Sequence, residues 1–168
     1  HMFQSATSFD NNNILLLLLD TSNVRTMSHM FSNATSFTGG TMSSTVTNNM
    51  SLWNTMNVTN MSGMFYKASS FQGDISNWNT SNVIYMSGMF HSASSFHQNN
   101  ILSLWDVSNV TSMNYMFYNA TAFQYHQNLL SSTWKNTLAN LKYTTNIFNN
   151  TENTASSLPP SSHSTTNK

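Results

Sequence analysis

Hydrophobic residues recur in one fixed pattern along the first 125 residues, separated by small polar residues. Residues 61–71 read MSGMFYKASSF, near copies stand at 27–37, 86–96 and 113–123, and a shorter copy, HMFQSATSF, occupies 1–9. Each copy contains M-F-x-x-A-x-x-F, and successive Met-Phe pairs are 28, 34, 25 and 27 residues apart. Self-similarity at such a period is typical of repeat proteins, in which one unit cannot bury its apolar face alone.

The apolar positions inside each copy follow the spacing of a helix face. In the copy at 61–71 they lie at i, i+3, i+4, i+7 and i+10, which are Met61, Met64, Phe65, Ala68 and Phe71. This spacing predicts a short amphipathic helix of about three turns. The residues between them are expected to face outward and to carry any recognition, together with the variable loops. Those residues are Ser62, Tyr66, Lys67, Ser69 and their counterparts in the other copies.

A second recurring block precedes four of the copies. It reads W-[ND]-x-x-N-V-x-x-M in three of them, at 53–61, 78–86 and 105–113, and has Leu19 in place of Trp in the first. The alternating Trp and Val and the short length favour an extended segment or turn over a helix. Insertions fall between the closing Phe and the next Trp, which marks surface loops.

Stacking such units predicts a continuous apolar core. Its rungs are the three Trp and the M-F-x-x-A-x-x-F residues of the later copies: Trp53, Trp78, Trp105, Met64, Phe65, Ala68, Phe71, Met89, Phe90, Ala93, Phe96, Met116, Phe117, Ala120 and Phe123. Core burial is preferred for the tryptophans, whereas an exposed row of indoles for stacking sugars is the alternative. Solvent exposure of the rings would favour that alternative.

One Asn precedes the repeat Val in each full unit: Asn23, Asn57, Asn82 and Asn109. Because an amide both donates and accepts, these residues are predicted to form an inward ladder that bonds backbone groups in the turns, rather than a ligand site. The acidic or amide residues after the Trp position, Asp20, Asn54, Asn79 and Asp106, are typical of turns.

Composition excludes several functions. Charged residues make up 6% of the chain and the formal net charge is zero, so there is no basic stripe for nucleic acid. There is no cysteine, which removes disulfides and thiolate metal sites. The apolar run ILLLLL at 14–19 is far shorter than the roughly 20 residues that span a bilayer, so no membrane insertion is expected, and it lacks the flanks of a signal peptide.

No arrangement of residues predicts catalysis or a cofactor. The six histidines show no H-x-x-x-H or H-E-x-x-H spacing, so we expect no metal site. No G-x-S-x-G motif or glycine-rich phosphate loop occurs, and the few acids give no pair for hydrolysis. Eight N-x-S/T sequons occur, but 26 Asn in a chain with 28 Ser and 21 Thr produce about that number by chance.

The repeat resembles the bacterial surface-protein repeat of about 25 residues called the BspA-like leucine-rich repeat or DUF285. LWDVSNVTSMNYMFYNATAF (104–123) and NWNTSNVIYMSGMFHSASSF (77–96) carry the family pattern W-D-V-S-N-V-T-x-M-x-x-M-F-x-x-A-x-x-F, and the likeness covers residues 1 to about 125. It implies an α/β repeat, a right-handed leucine-rich-repeat-like solenoid with one extended segment and one short helix per turn. The usual D-I-S-x-W link is intact only at 74–78, and the pattern fades after Phe123.

We therefore predict a solenoid over 1–125, with five helix modules and about four full turns, a divergent last turn or cap over 126–148, and a Ser/Thr/Asn/Pro-rich tail or linker over 149–168. The resemblance implies a non-enzymatic, surface-displayed protein that works by adhesion to a protein or glycan at the cell or virion surface. The alternative is a structural subunit of a larger extracellular or viral assembly. In that case a second subunit or further repeats cover the N-terminal edge, because solenoid ends need a cap.

Overall fold

The computed structural model describes residues 2–9, 19–40, 50–98, 100–124, 130–141 and 145–151. The described residues form six modules, over 2–9, 19–40, 53–77, 78–98 with 100–104, 105–124, and 130–141 with 145–151. The predicted tail beyond residue 151, most of the ILLLLL run and part of the predicted cap lie outside the described residues. So do three of the six histidines, His1, His126 and His163.

Regular secondary structure is sparse in the described residues. A 3-10 helix covers Met50–Leu52, helix α1 covers Ile101–Leu104 and helix α2 covers Ser132–Asn140. Ser131 caps α2, since its side chain accepts a hydrogen bond from the backbone N–H of Trp134. No strand occurs in the described ranges; isolated parallel bridges instead join Thr26 to Asn60, Asn60 to Tyr85 and Tyr85 to Ser112.

The prediction of a helix in each M-F-x-x-A-x-x-F copy is wrong. Residues 61–71 form a chain of turns, closed by hydrogen bonds from Met64 N to Met61 O and from Ala68 N to Phe65 O, at 3.2 and 3.0 Å. The third residue of each of these turns has positive φ, +60° at Gly63 and +56° at Lys67. A left-handed residue costs about 1–2 kcal/mol within an L-residue helix and belongs instead to turns.

The apolar spacing gave the wrong prediction because a chain of β-turns also brings residues 61, 64, 65, 68 and 71 to one side. All five are fully buried. Every second backbone N–H in this region donates a hydrogen bond to the neighbouring module: Phe65 N–H donates to Met89 O at 2.9 Å and Lys67 N–H to His91 O at 2.7 Å. Those amides are therefore not available for the i→i−4 bonds of an α-helix.

Successive modules stack through these backbone bonds and through columns of phenylalanine. The ring centroids of Phe31 and Phe65 are 5.7 Å apart, those of Phe65 and Phe90 5.6 Å, and those of Phe90 and Phe117 5.3 Å. The column continues to Phe148, 5.4 Å from Phe117, so residues 145–151 extend the ladder although they lack the Met-Phe pattern. The right-handed leucine-rich-repeat-like solenoid stays a prediction.

The turn that precedes each repeat Val is fixed by a side chain. The carboxylate or amide oxygens of Asp20, Asn54, Asn79 and Asp106 accept hydrogen bonds from the backbone N–H two residues later, at 2.9 to 3.1 Å. This is the Asx-turn geometry that Asp and Asn favour. In the described part of the chain, no helix is long and apolar enough to cross a membrane.

Candidate binding surface

All fifteen predicted core residues are buried. The twelve from the M-F-x-x-A-x-x-F copies are fully buried, and Trp53, Trp78 and Trp105 are at most 6% exposed. The indoles therefore form no exposed platform for sugars. The indole N–H of Trp78 donates to Met50 O at 2.6 Å and that of Trp105 to Ile75 O at 3.2 Å, so the tryptophan column is also tied to the backbone.

The Asn ladder exists, but it faces outward. The side-chain amides of Asn57, Asn82 and Asn109 donate to the backbone carbonyls of Ser22, Met56 and Ser81, at 2.7, 2.8 and 2.7 Å. The predicted inward orientation is wrong, because these three residues and Asn23 are exposed. The amide of Asn23 contacts the hydroxyl of Ser22 at 3.5 Å instead.

The buried polar ladder is made of threonine and was not predicted. The hydroxyls of Thr55, Thr80 and Thr137 donate to the carbonyls of Asn79, Asp106 and Val107, at 3.0, 2.8 and 3.0 Å. All three threonines are buried. Thr55 and Thr80 lie two residues after a Trp, but Val107 holds that place in the fifth module and Thr137 lies three residues after Trp134, so the sequence shows no regular pattern.

On the outer side of the turns lies a row of aromatic rings, which we call the aromatic strip: Tyr66, His91, Tyr118 and Tyr115. His91 lies between Tyr66 and Tyr118, with centroid distances of 4.7 and 5.0 Å. Tyr115 stands at 75° to Tyr118, 5.8 Å away, and is 41% exposed. The first three rings follow the Met-Phe pair of successive modules, so the module stacking itself aligns them.

The strip combines ring surface with polar atoms that have no protein partner. In the described residues, the hydroxyls of Tyr66, Tyr115 and Tyr118 make no hydrogen bond, and neither does Nε2 of His91. The other ring nitrogen, Nδ1 of His91, is 2.9 Å from the hydroxyl of Ser92. Tyrosine and histidine therefore offer donors and acceptors to a ligand at the edges of half-buried rings.

The charge of the strip is low. Lys67 Nζ lies 5.3 Å from the ring centroid of Tyr66, in cation–π range. Burial holds the pKa of His91 below its ordinary value, and the positive charge of Lys67 acts in the same direction. Both effects favour the neutral imidazole. Where the chain is described, no group of three or more His, Asp or Glu residues is placed to hold a metal ion.

A notch interrupts the strip at Gly88. The residue before the Met-Phe pair is His29, Gly63, Gly88 and Tyr115 in successive modules, with φ between +55° and +61° in all four. The imidazole of His29 covers Gly63, since a methyl group at Gly63 would overlap it. A methyl group at Gly88 would meet Tyr66 Cδ2 at 3.9 Å and His91 Cβ at 4.0 Å, in ordinary van der Waals contact, so Gly88 has room for a small group that Gly63 lacks.

Sequence reasoning placed recognition on this side of the repeat but did not find the strip. It named Tyr66 and Lys67 with their counterparts, and the structure places Tyr66 within the strip and Lys67 over it. Ser62 and Ser69 are half-buried, and Ser69 donates to Thr35 O at 3.3 Å. The residue after the Met-Phe pair is Ser32, Tyr66, His91 and Tyr118 in successive modules. This aromatic enrichment at one repeat position was the sequence signal for the strip.

Comparison with known proteins gives one result. The family described as "Mycoplasma protein of unknown function, DUF285" matches residues 1–48 and 40–160. No curated protein and no solved structure matches the chain. Because the family match extends over most of the sequence, the chain belongs to the DUF285 family.

Proposed function

We propose that this protein is a non-enzymatic interaction domain, displayed at a cell or virion surface, which adheres to a protein or glycan. The aromatic strip carries this proposal. The stacked modules align Tyr66, His91 and Tyr118 in a row, and such a row gives a ligand several equivalent contacts. Tyrosine is suited to this task because it provides large contact area and a polar tip at low entropic cost.

The chemistry of the strip supports binding over catalysis. The one pair that resembles a nucleophile and its base, Ser92 and His91, joins neighbours in sequence at 2.9 Å. A catalytic serine needs a base that is itself oriented by a third group. In the described residues His91 is flanked by Tyr66, Tyr115, Tyr118, Ser92 and Lys67, and by no carboxylate. Stacking and hydrogen bonding are what these groups supply.

The test is a binding screen with matched variants. The chain is applied in solution to arrays of glycans and of extracellular-matrix proteins, and the wash is assayed for cleavage products. We expect retention of at least one ligand without turnover, retention by Ser92→Ala, and loss on Tyr66→Ala with Tyr115→Ala. Tyr85→Ala is the control, since Tyr85 is 47% exposed but makes no ring contact with the strip. Turnover that disappears in Ser92→Ala would refute a purely adhesive role.

A structural subunit of a larger assembly, in which a second subunit or further repeats cover the edge of the first described module, is the second candidate. There Phe3 N–H donates to Met30 O at 2.9 Å and Ser5 N–H to Ser32 O at 2.7 Å. The carbonyls of Met2 and Gln4, whose counterparts accept bonds in every later module, have no partner in the described residues. Met2 is also 67% exposed. Sedimentation velocity separates the two ideas: concentration-dependent association supports assembly, and a monomer across concentrations counts against it.

A further inference from the structure

We propose that the notch above Gly88, between Tyr66, His91 and Tyr115, is a subsite for one sugar ring of a neutral glycan. This inference rests on the proposed role as an interaction domain and names the ligand class of its surface. Along the described strip, Gly88 is the one residue before a Met-Phe pair that has no side chain and where an added methyl group would overlap no neighbour. The backbone of Gly88 forms its floor.

The shape of the notch follows from the sequence of neighbouring modules. At the same repeat position, His29 projects over Gly63 and closes the space there. Tyr115, in the next module, is joined to the Gly88 module by the bond from Gly88 N to Asn114 O, at 2.8 Å. The notch is therefore bounded by the ring of Tyr66 and the Cβ of His91 on one side, and by the module of Tyr115 on the other. Its floor, a single unsubstituted backbone residue, lets a ring lie close to the chain.

The chemistry of the walls selects a neutral polyol. Sugar hydroxyls both donate and accept, as do the unpartnered tyrosine hydroxyls, while neutral His91 presents Nε2 as a further group. The apolar faces of a sugar ring fit aromatic surface, and Tyr115 has 41% of its surface exposed for such contact. Among the described groups that border the strip, Lys67 carries the only formal charge, so a strongly charged ligand would find little electrostatic complementarity.

A folded protein partner is less well matched to this place. Protein interfaces concentrate large apolar side chains at their centre. The exposed large aliphatic residues of the described chain are Met2, Leu52, Met56 and Leu104, and none of them occupies either repeat position that forms the strip. The notch is bordered instead by Gly88, the Tyr66 ring and His91. A protein ligand is accordingly one of the outcomes that the experiment below distinguishes.

The experiment is affinity electrophoresis of the whole chain in gels that contain one neutral polysaccharide each, namely a mannan, a galactan, a soluble β-glucan or a soluble chitin derivative. Isothermal titration with the matching oligosaccharide follows for any that retards the protein. We expect retardation by at least one of the four. Gly88→His, which puts an imidazole into the space above Gly88, and Tyr115→Ala should each weaken binding tenfold or more.

The blocking variant is chosen so that folding is not the variable. His29 and Tyr115 already adopt φ of +55° and +58° at this repeat position, so the backbone at Gly88, with φ +61°, is suited to histidine. Unchanged circular dichroism and a Tyr85→Ala control with wild-type affinity confirm that the loss is local. Failure of all four polysaccharides, or equal binding by Gly88→His and wild type, overturns the sugar subsite. Retention on the protein array alone overturns it too but leaves the interaction role intact, whereas failure on both arrays removes both proposals.

Discussion

The tryptophan column offers an internal comparison that tests how the modules are tied together. Trp78 and Trp134 occupy equivalent places and are 3% and 0% exposed. The indole N–H of Trp78 donates to Met50 O at 2.6 Å, whereas that of Trp134 is buried without a hydrogen-bond partner. For Trp134, the carbonyl equivalent to Met50 O is Leu102 O. It accepts a hydrogen bond from the backbone N–H of Ser131 at 3.0 Å instead.

Replacement of each tryptophan by phenylalanine should therefore have unequal effects. Both changes remove similar apolar volume, so the difference isolates the polar group. Trp78→Phe also loses a hydrogen bond, which costs about 0.5–1.5 kcal/mol net, whereas Trp134→Phe removes a desolvated donor whose burial costs about 1–3 kcal/mol. We expect Trp78→Phe to reduce the free energy of unfolding by at least about 1.5 kcal/mol more than Trp134→Phe does.

Urea denaturation followed by far-UV circular dichroism measures the two losses under one condition. Equal slopes of free energy against urea concentration would confirm that both variants unfold from the same compact state. Equal destabilisation, or a larger loss in Trp134→Phe, would refute the assignment of the indole N–H as a structural tie between modules.

Three further outcomes follow from the same geometry. Asn82→Ala should lower the free energy of unfolding by about 0.5–1.5 kcal/mol. Asn82→Asp should be destabilised as well, because a carboxylate cannot donate to Met56 O as the amide does. Thermal melts of both variants check this. Gly39→Ala and Gly88→Ala share the strain of positive φ, but a methyl group at Gly39 also overlaps the Phe71 ring and lies 2.8 Å from Gly73 Cα. Gly39→Ala should therefore lower the free energy of unfolding, measured by chemical denaturation, by about 1–3 kcal/mol more than Gly88→Ala does. Since the pKa of His91 is lowered in the folded state, the unfolded chain binds more protons below the ordinary value of 6.5, and stability should fall as pH drops through that value. His91→Gln should flatten this part of the curve of melting temperature against pH, and an unchanged slope would contradict the burial of a neutral imidazole.

Much of the core was predictable because repetition marks it. Phe65, Ala68 and Phe71 recur at fixed positions with no substitution, and such invariance within one chain indicates a shared packing role. The backbone between them was not predictable from apolar spacing alone, since turns and a helix both bring every third or fourth residue to one side. Better signals were glycine at positions 63 and 88 and asparagine at 33 and 119, residues that tolerate the left-handed conformation observed there.

The aromatic strip could not be predicted for a different reason. Its members vary from module to module, so no repeat pattern selects them, and their alignment depends on which residues face one another across modules. That register is set by the bonds from Phe65 N to Met89 O and from Phe90 N to Met116 O. Once the register is known, Tyr66, His91 and Tyr118 become neighbours although about 25 residues separate each from the next.

Scalar coupling across hydrogen bonds in nuclear magnetic resonance tests the central claim, a ladder of turns joined module to module, most directly. The ladder predicts coupling from the backbone nitrogen of Phe65 to the carbonyl carbon of Met89, and from that of Phe90 to that of Met116, since these pairs bond at 2.9 and 2.8 Å. Coupling from Phe65 to Met61 and from Phe90 to Met86 would instead show i→i−4 helical bonds. That result would contradict the ladder and, with it, the alignment of the aromatic strip.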